Sequence, residues 1–265
     1  MKLEHRVAIV TGGGTGIGRA TALLFAEQGA NVAVVGRREG RLLETVNDIK
    51  ERGGSAHQIP GDISEVSETE RIVKEAVERF GCLDILVNNA GVYRGSRITE
   101  ITEADYDYIM DINLKGTFFM CKHAVSEMRK RGRGAIINVG SALGIRGWKD
   151  ASTSVYSASK GGVAMLTKAL ALELAKDQIR VNCVCPGIVE TEVLETLGIP
   201  KHEVPERLKQ WNSFHPLGRN GQPEEVAKAV LYFASDDSSW ATGSVLNLDG
   251  GVTAAQVIHT RWQPE

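Results

Sequence analysis

Val7-Ala8-Ile9-Val10-Thr11-Gly12-Gly13-Gly14-Thr15-Gly16-Ile17-Gly18-Arg19 begins with an apolar run, bends through a glycine-rich turn and enters a helix pattern. Glycines between a buried strand and a helix start let the backbone pass close to a pyrophosphate. The helix N-terminus adds unpaired N–H groups and a partial positive charge. A merely tight strand-to-helix turn would need one or two glycines, so this density points to a nucleotide. The spacing does not fit G-x-G-x-x-G and reads T-G-x-x-x-G-x-G.

Outward from this loop, apolar strand-like runs alternate with amphipathic helical stretches. The helix from about Gly16 to Gln28 is followed by a strand at Asn31 to Val35 and a charged helix ending at Gly53-Gly54. A short strand, Ala56 to Ile59, precedes a helix at Glu65 to Phe80 and a strand at Leu83 to Asn88. A long helix from about Asp105 to Arg131, the strand Ala135 to Val139, a long helix from about Ser152 to Lys176 and the strand Arg180 to Cys185 come next. Beyond an irregular lobe, a helix at Glu224 to Ala234 and a strand at Ser244 to Leu248 close the pattern. The strands are continuous Val/Ile/Leu runs, the mark of a parallel sheet covered on both faces. The expected fold is α/β: a doubly wound Rossmann sheet with helices on both faces, a single domain over residues 1–265. In such sheets ligands bind beyond the carboxyl ends of the strands.

Bulk properties narrow the partners. The 265 residues carry a formal net charge of -2 and a sequence pI near 6.3, which argues against nucleic acid or an anionic membrane. The one basic run, Arg129-Lys130-Arg131-Gly132-Arg133, falls where a helix should end and complements its dipole. Met1 to Arg6 lead directly into the first strand, with no room for a secretory signal, and no apolar stretch reaches membrane-spanning length. Cys82, Cys121, Cys183 and Cys185 lack metal-ligand spacing and read as free thiols of a reduced, cytoplasmic protein, with no metal expected. Cys183 and Cys185, two apart in a strand, should point the same way. The six histidines are isolated and none is assigned a role.

Tyr156-Ser157-Ala158-Ser159-Lys160 holds the chemistry. An i, i+4 pair lies on one helix face, so an ammonium can sit beside a phenol. The phenol pKa of ~10 is too high for easy proton exchange near neutrality, and an adjacent cation moves it toward the useful range. Of the five tyrosines only Tyr156 has a lysine four residues later.

With the loop spacing, this pair makes the chain resemble the short-chain dehydrogenase/reductase family, in its short single-domain branch. The resemblance extends through Asn88-Asn89-Ala90-Gly91, Asn113 in Ile112-Asn113-Leu114-Lys115-Gly116, Ser141 and Pro186-Gly187. It continues through Pro216-Leu217-Gly218-Arg219, Pro223-Glu224-Glu225-Val226-Ala227 and Asp249-Gly250-Gly251. It implies an NAD(P)(H)-dependent oxidoreductase that moves hydride between nicotinamide and a carbonyl or secondary alcohol. Asn113, Ser141, Tyr156 and Lys160 are the implied catalytic residues: Ser141 and Tyr156 at the carbonyl oxygen, Tyr156 as acid/base, Lys160 lowering its pKa, and Asn113 positioning a water.

The implied cofactor site comprises Gly12, Gly14, Thr15, Gly16, Ile17 and Gly18 in the loop, Asp62 and Ile63 near the adenine, and Asn89, Ala90 and Gly91 along the channel. Tyr156, Lys160, Pro186, Gly187, Ile188 and Thr191 surround the nicotinamide end. Asp62 could equally be a helix cap, as could Thr191. Dinucleotide folds that prefer NAD place an acid about twenty positions past the glycines. Here that stretch is Val34-Val35-Gly36-Arg37-Arg38, with no acid. A guanidinium there can hold a 2'-phosphate, so NADP(H) is expected over NAD(H), with Arg37 as main contact and Arg38 a further one. NAD(H) use stays open.

The family relationship also implies a homotetramer built on the two long helices and the C-terminal strand region. A substrate lobe is expected at about 190–222, where Leu194, Leu197, Ile199, Leu208, Trp211 and Phe214 suggest an alicyclic, aromatic or acyl substrate or simply pack on the domain. The Ser141 to Tyr156 loop is about two residues longer than the family often has, and Trp148 within it is either a pocket wall or a subunit contact. Two other readings remain: a 3-oxoacyl-[acyl-carrier-protein] reductase, whose acidic partner would need the Arg129 to Arg133 patch, and a non-catalytic nucleotide sensor.

Overall fold

Seven parallel strands lie in the order β3-β2-β1-β4-β5-β6-β7 in a computed structural model that describes residues 1–148, 152–192 and 202–254. They are β1 (Val7–Thr11), β2 (Asn31–Gly36), β3 (Ser55–Pro60), β4 (Ile85–Asn88), β5 (Gly134–Val139), β6 (Ile179–Pro186) and β7 (Val245–Leu248). The helices between them are α1 (Gly16–Glu27), α2 (Glu39–Glu51), α3 (Val66–Phe80), α4 (Glu103–Met110), α5 (Thr117–Arg131), α6 (Ser154–Leu174), α7 (Val204–Trp211) and α8 (Pro223–Ala234). The doubly wound expectation is met. The direction in which successive strands are added to the sheet reverses between β1 and β4, where Val10 pairs with Val34 on one side and Val87 on the other. Open doubly wound sheets bind their ligand in the crevice at this switch point.

Both faces of the strands are apolar, and alternate residues feed two cores. Ala8, Val10, Val32, Val34, Ile85, Val87 and Ile137 pack with Phe25 of α1, Val46 of α2 and Val226 and Val230 of α8. Ile9, Ala33, Val35, Leu86 and Ile136 pack on the other face with Ile72 of α3, Met120 of α5 and Leu174 of α6. Burying one such side chain stabilises the fold by about 1.5–3 kcal/mol. This is why a strand buried on both sides shows no period of two in its sequence.

The helices follow their sequence signals. In α3, Thr69, Ile72, Val73 and Ala76 form one buried stripe, and Gly81 at φ 86 ends the helix in the left-handed region that glycine tolerates. α4 begins at a reciprocal capping box between Thr102 and Asp105.

The long helix expected over Asp105 to Arg131 is divided: α4 and α5 are joined by one turn of π-helix, Asp111–Gly116, that contains Asn113. At its end the basic run is consumed by ion pairs. Arg129 meets Asp177 at 2.8 Å, Lys130 meets Glu127 at 2.8 Å, and Arg131 and Arg133 reach the buried Asp84 at 3.5 and 3.7 Å. Asp84 also accepts from the Val7 N–H, so this cluster anchors the start of β1.

Candidate active site

A cleft of about 1460 Å³ runs along the carboxyl ends of the strands, from the glycine loop to the α7 lobe. Its first wall is the glycine loop, where Gly12 (φ 64) and Gly16 (φ 52) adopt backbone conformations that other residues enter only with strain. Gly18 fills a different need. A Cβ there would lie 2.1 Å from the Gly12 carbonyl oxygen, so this glycine lets α1 close onto the loop and does not line the cleft. Gly12, Gly14, Thr15, Gly16 and Ile17 do line it.

Thr11 was not singled out from the sequence, yet it braces this wall. Its hydroxyl accepts from the N–H groups of Asn89 and Ala90, both at 3.0 Å, and donates to the Val87 carbonyl. The Asn89 amide donates to the Thr11 carbonyl at 2.9 Å, so Asn89 is tied to the loop as well as lining the cleft. Asn88 points elsewhere, donating to Asn138 on the neighbouring strand β5.

At the far end of the same wall Arg37, Arg38 and Arg41 converge. Arg37 faces Asp62 at 3.6 Å, and Arg38 and Arg41 each approach Glu192 at 3.5 Å. Arg38 also donates to the Thr15 hydroxyl. Asp62 does not cap α3, whose N-cap is Glu65; it holds a local turn in which one carboxylate oxygen accepts from the N–H and the hydroxyl of Ser64, while the other faces Arg37. Arg41 and Glu192 escaped the sequence reading because each lies on a helical or lobe segment with no motif of its own. Glycine backbone in the left-handed region at a helix start, with guanidiniums nearby, suits a dinucleotide diphosphate.

The reactive group sits midway along the cleft. Ser141 follows β5 in extended backbone, and its Oγ accepts from the Leu143 N–H at 3.1 Å. Tyr156 and Lys160 lie on the first turns of α6. Burial pushes the Tyr156 phenol up to about 12, although the Ser141 hydroxyl beside it works in the other direction and Tyr93 and Cys185 add to the rise. Burial also pushes the Lys160 ammonium down to about 8, against the nearby Cys183 and Cys185 sulfurs.

The expected lowering of the phenol by the lysine is therefore not what this geometry gives. Lys160 Nζ donates to the Val139 carbonyl at 2.8 Å, and desolvation of the phenol dominates. Gly91 makes room for the ammonium, since a Cβ there would lie 3.2 Å from Lys160 Nζ and 3.3 Å from Asn113 Oδ1.

Asn113 is fully buried and does not line the cleft. Its Oδ1 accepts from the Val92 N–H at 2.8 Å, and its Nδ2 donates to the Val92 carbonyl and to Ser159 Oγ. The side chain thus clamps the segment after β4 to the helix that carries Tyr156. Asp62, Ile63, Ala90, Gly91, Pro186, Gly187, Ile188 and Thr191 line the cleft as expected of cofactor contacts.

Beyond Tyr156 the lining turns aromatic. Tyr93 meets Tyr156 edge-on at 4.9 Å between centroids, and Trp148 meets Phe214 edge-on at 5.1 Å. Trp148, Trp211 and Phe214 all line the cleft, so Trp148 is a pocket wall in this chain. Leu194, Leu197 and Ile199 of the lobe lie outside the described residues. Cys183 and Cys185 are buried behind the site with sulfurs 3.6 Å apart, as their spacing predicted, and no group of three or more metal-ligating residues occurs among the described residues. Nor is any helix among them long and apolar enough to cross a membrane.

Comparison with known proteins agrees with this geometry. The family model described as enoyl-(acyl carrier protein) reductase matches residues 12–253. An uncharacterized oxidoreductase of Thermotoga maritima is 43% identical over 96% of this chain and 100% of its own length. The 3-oxoacyl-[acyl-carrier-protein] reductase of the same organism is 39% identical over 95% of this chain and 99% of its own. A crystal structure of a short-chain type dehydrogenase/reductase from Mycobacterium marinum superposes with a TM-score of 0.90 at 36% identity, covering 96% of this chain and 98% of that one. With sheet order, glycine loop and the Ser141–Tyr156–Lys160 cluster in one cleft, the chain belongs to the short-chain dehydrogenase/reductase family, oxidoreductases that exchange hydride between NAD(P) and a carbonyl or secondary alcohol.

Proposed function

We propose that this enzyme is an NADP(H)-preferring carbonyl reductase or secondary alcohol dehydrogenase in which Tyr156 is the proton donor and acceptor. The observation that carries the reading is the convergence of Ser141, Tyr156 and Lys160 in a cleft whose other end holds Arg37, Arg38 and Arg41. The nicotinamide, when bound, supplies or accepts the hydride. In reduction, the Ser141 and Tyr156 hydroxyls donate hydrogen bonds to the substrate carbonyl oxygen, where negative charge develops. The Tyr156 O–H bond then breaks and its proton passes to that oxygen, leaving a phenolate that the Lys160 ammonium can offset and re-protonate. In oxidation the same phenolate takes the alcohol proton. Asn113 acts by holding Val92 and Ser159, and so the spacing of the cluster.

NADP(H) over NAD(H) is supported by the absent acid at Gly36 and by the guanidiniums around it, and NAD(H) remains usable at lower affinity. Four free thiols support a reducing cytoplasmic setting, in which the enzyme should fractionate with soluble protein. A homotetramer is supported by exposed apolar side chains on α5 and α6, Phe118, Met165 and Leu172, and by the exposed Trp240 and Leu246 near β7. A 3-oxoacyl-[acyl-carrier-protein] reductase is the second reading, favoured by the Thermotoga maritima relative of that name. Against it, every cation of the Arg129 to Arg133 run already has a carboxylate partner.

The test is loss of absorbance from NADPH and NADH in parallel against simple ketones, diketones and 3-oxoacyl thioesters, with Tyr156→Phe as control. General acid–base catalysis contributes about 10²–10⁴-fold, so turnover should fall by that factor while NADPH still binds. Unchanged turnover in Tyr156→Phe would remove the tyrosine from its role, and NADPH binding without turnover of any substrate would favour a sensor.

A further inference from the structure

One buried ionisable group next to the cleft is not used by this chemistry. His215 is 3% exposed and follows the turn Asn212–Phe214 at the end of α7. Its Nε2 accepts a hydrogen bond from the Ile188 N–H at 3.1 Å. The surroundings are shaped to admit the ring. A Cβ on Gly187 would lie 2.8 Å from His215 Nε2, and one on Gly250 (φ 60) would lie 3.2 Å from His215 Cβ. The backbone on either side is fixed too: His215 N–H donates to the Asn212 carbonyl, the His215 carbonyl accepts from Gly218, and Leu217 N–H donates to the Gly250 carbonyl.

The ring therefore touches three segments at once. Pro186, Gly187 and Ile188 form the cleft floor beside the reactive group, Trp211, Ser213 and Phe214 form the wall of the α7 lobe, and Asp249 to Gly251 leave β7. Among the described residues, one hydrogen bond joins floor and lobe through a side chain here, and it requires a lone pair on Nε2. The proton must then be on Nδ1, which is buried, where the Trp211 carbonyl bears on the ring without completing a well-aligned hydrogen bond.

We infer that His215 is a positioning residue that, as the neutral Nδ1–H tautomer, ties the substrate lobe to the Ile188 backbone at the cofactor floor. The inference rests on the proposed nicotinamide site only for its functional readout. Its geometry stands without it. Protonation would place an N–H on Nε2 facing the Ile188 N–H, two donors against one another, and would break this tie, leaving the backbone bonds of Ile188 and Glu190 to Gly221.

The charged surroundings do little to prevent this reading. Pro186, Gly187 and Ile188 carry no charge, and the lobe offers the Trp211 carbonyl. Asp249 is the one carboxylate that bears on the ring, and its two oxygens are occupied by the N–H groups of Gly251 and Thr253. Burial outweighs it and holds the imidazole below its ordinary range. The sign follows: a histidine lowered in the fold keeps its contribution above the unfolded pKa of ~6.5 and loses it as pH falls through the lower folded value.

The experiment compares full-length wild type with His215→Gln, whose amide oxygen can accept from Ile188, and His215→Leu, which cannot. NADPH affinity is titrated by fluorescence from pH 5 to 8, with KM and kcat measured alongside, and wild-type NADPH binding at pH 7.5 is the control that carries the proposed function. With that control positive, His215→Leu should weaken NADPH about tenfold or more, as expected for a buried N–H left unpaired. Wild type should bind NADPH more weakly on the acid side, and His215→Gln should recover most of the His215→Leu loss and remove that acid-side weakening. Equal affinities in all three, or Gln no better than Leu, would overturn the assignment. An independent readout needs no cofactor: long-range ¹H–¹⁵N spectra should show the Nδ1–H tautomer at pH 7.5, and an Nε2–H tautomer would overturn the inference whatever the enzyme reduces.

Discussion

Arg37→Ala offers the sharpest test of cofactor choice. Arg37 is 52% exposed on its side chain and sits 3.6 Å from Asp62. A hydrogen bond to a charged group contributes about 1.5–3 kcal/mol. Two features of the site push toward the low end: half-exposed charges are screened, and the guanidinium must share itself between Asp62 and an incoming phosphate. Arg38, beside the Thr15 hydroxyl, would retain part of the phosphate contact in the variant. The expected loss is thus about 1.5 kcal/mol, near tenfold in the NADPH dissociation constant. NADH has no 2'-phosphate, so its affinity should change by less than about twofold. Fluorescence titration of both nucleotides at ~0.1 M salt measures the ratio, and NADPH affinity should fall further as salt rises in wild type than in the variant. An equal loss for NADPH and NADH would mean that Arg37 supports the fold of the loop and not the phosphate. An unchanged NADPH affinity would remove the NADP preference from this residue altogether.

Two further outcomes follow from the buried lysine and the exposed helices. Lys160 has a folded pKa lowered to about 8 from 10.5, so between those values the unfolded chain binds more protons and stability rises with pH. Lys160→Met should accordingly be the more stable protein at pH 7, by an amount on the order of 3 kcal/mol at most. That advantage should shrink as pH climbs from about 8 to about 10.5, and thermal melts that keep a constant gap across this window would contradict it. The oligomer is checked by sedimentation: the tetramer is expected at micromolar concentration, Phe118→Glu should break the α5/α6 interface, and a monomeric wild type would refute that arrangement.

Much of this fold can be read from the sequence because its physics is local. Val7 to Val10 and Gly12 to Gly18 specify a buried strand, a bend with positive φ and a helix start, and all three needs are met within a dozen residues. Strand and helix bounds elsewhere shift by only a residue or two. The exceptions have causes in the third dimension. Nothing in Asp111 to Gly116 signals a π turn by composition. The turn coincides with Asn113 clamping Val92 and Ser159, partners 21 and 46 residues away. The loop motif points to Gly18 as a cofactor contact, whereas its packing against Gly12 is a close approach of backbones that spacing cannot distinguish from ligand contact. His215 stands before a proline with no partner nearby in sequence, and its hydrogen bond reaches back 27 residues to Ile188.

The same distinction explains why Tyr156 and Lys160 behave differently from the isolated pair. On a solvated helix an ammonium one turn away would stabilise the phenolate. In the cleft both groups are desolvated, and desolvation favours the neutral form of each: the phenol moves up and the ammonium moves down. The Val139 carbonyl then claims Lys160 Nζ, and Gly91 leaves the space that lets it do so. A phenol that holds its proton firmly is ready to donate to an oxygen that becomes an alkoxide, whose own proton affinity is higher still. Since a step and its reverse share one transition state, the same phenol and phenolate serve both directions of hydride transfer. Spacing of four puts phenol and ammonium on one helix face, and the strand-end carbonyl of Val139 decides where the lysine rests.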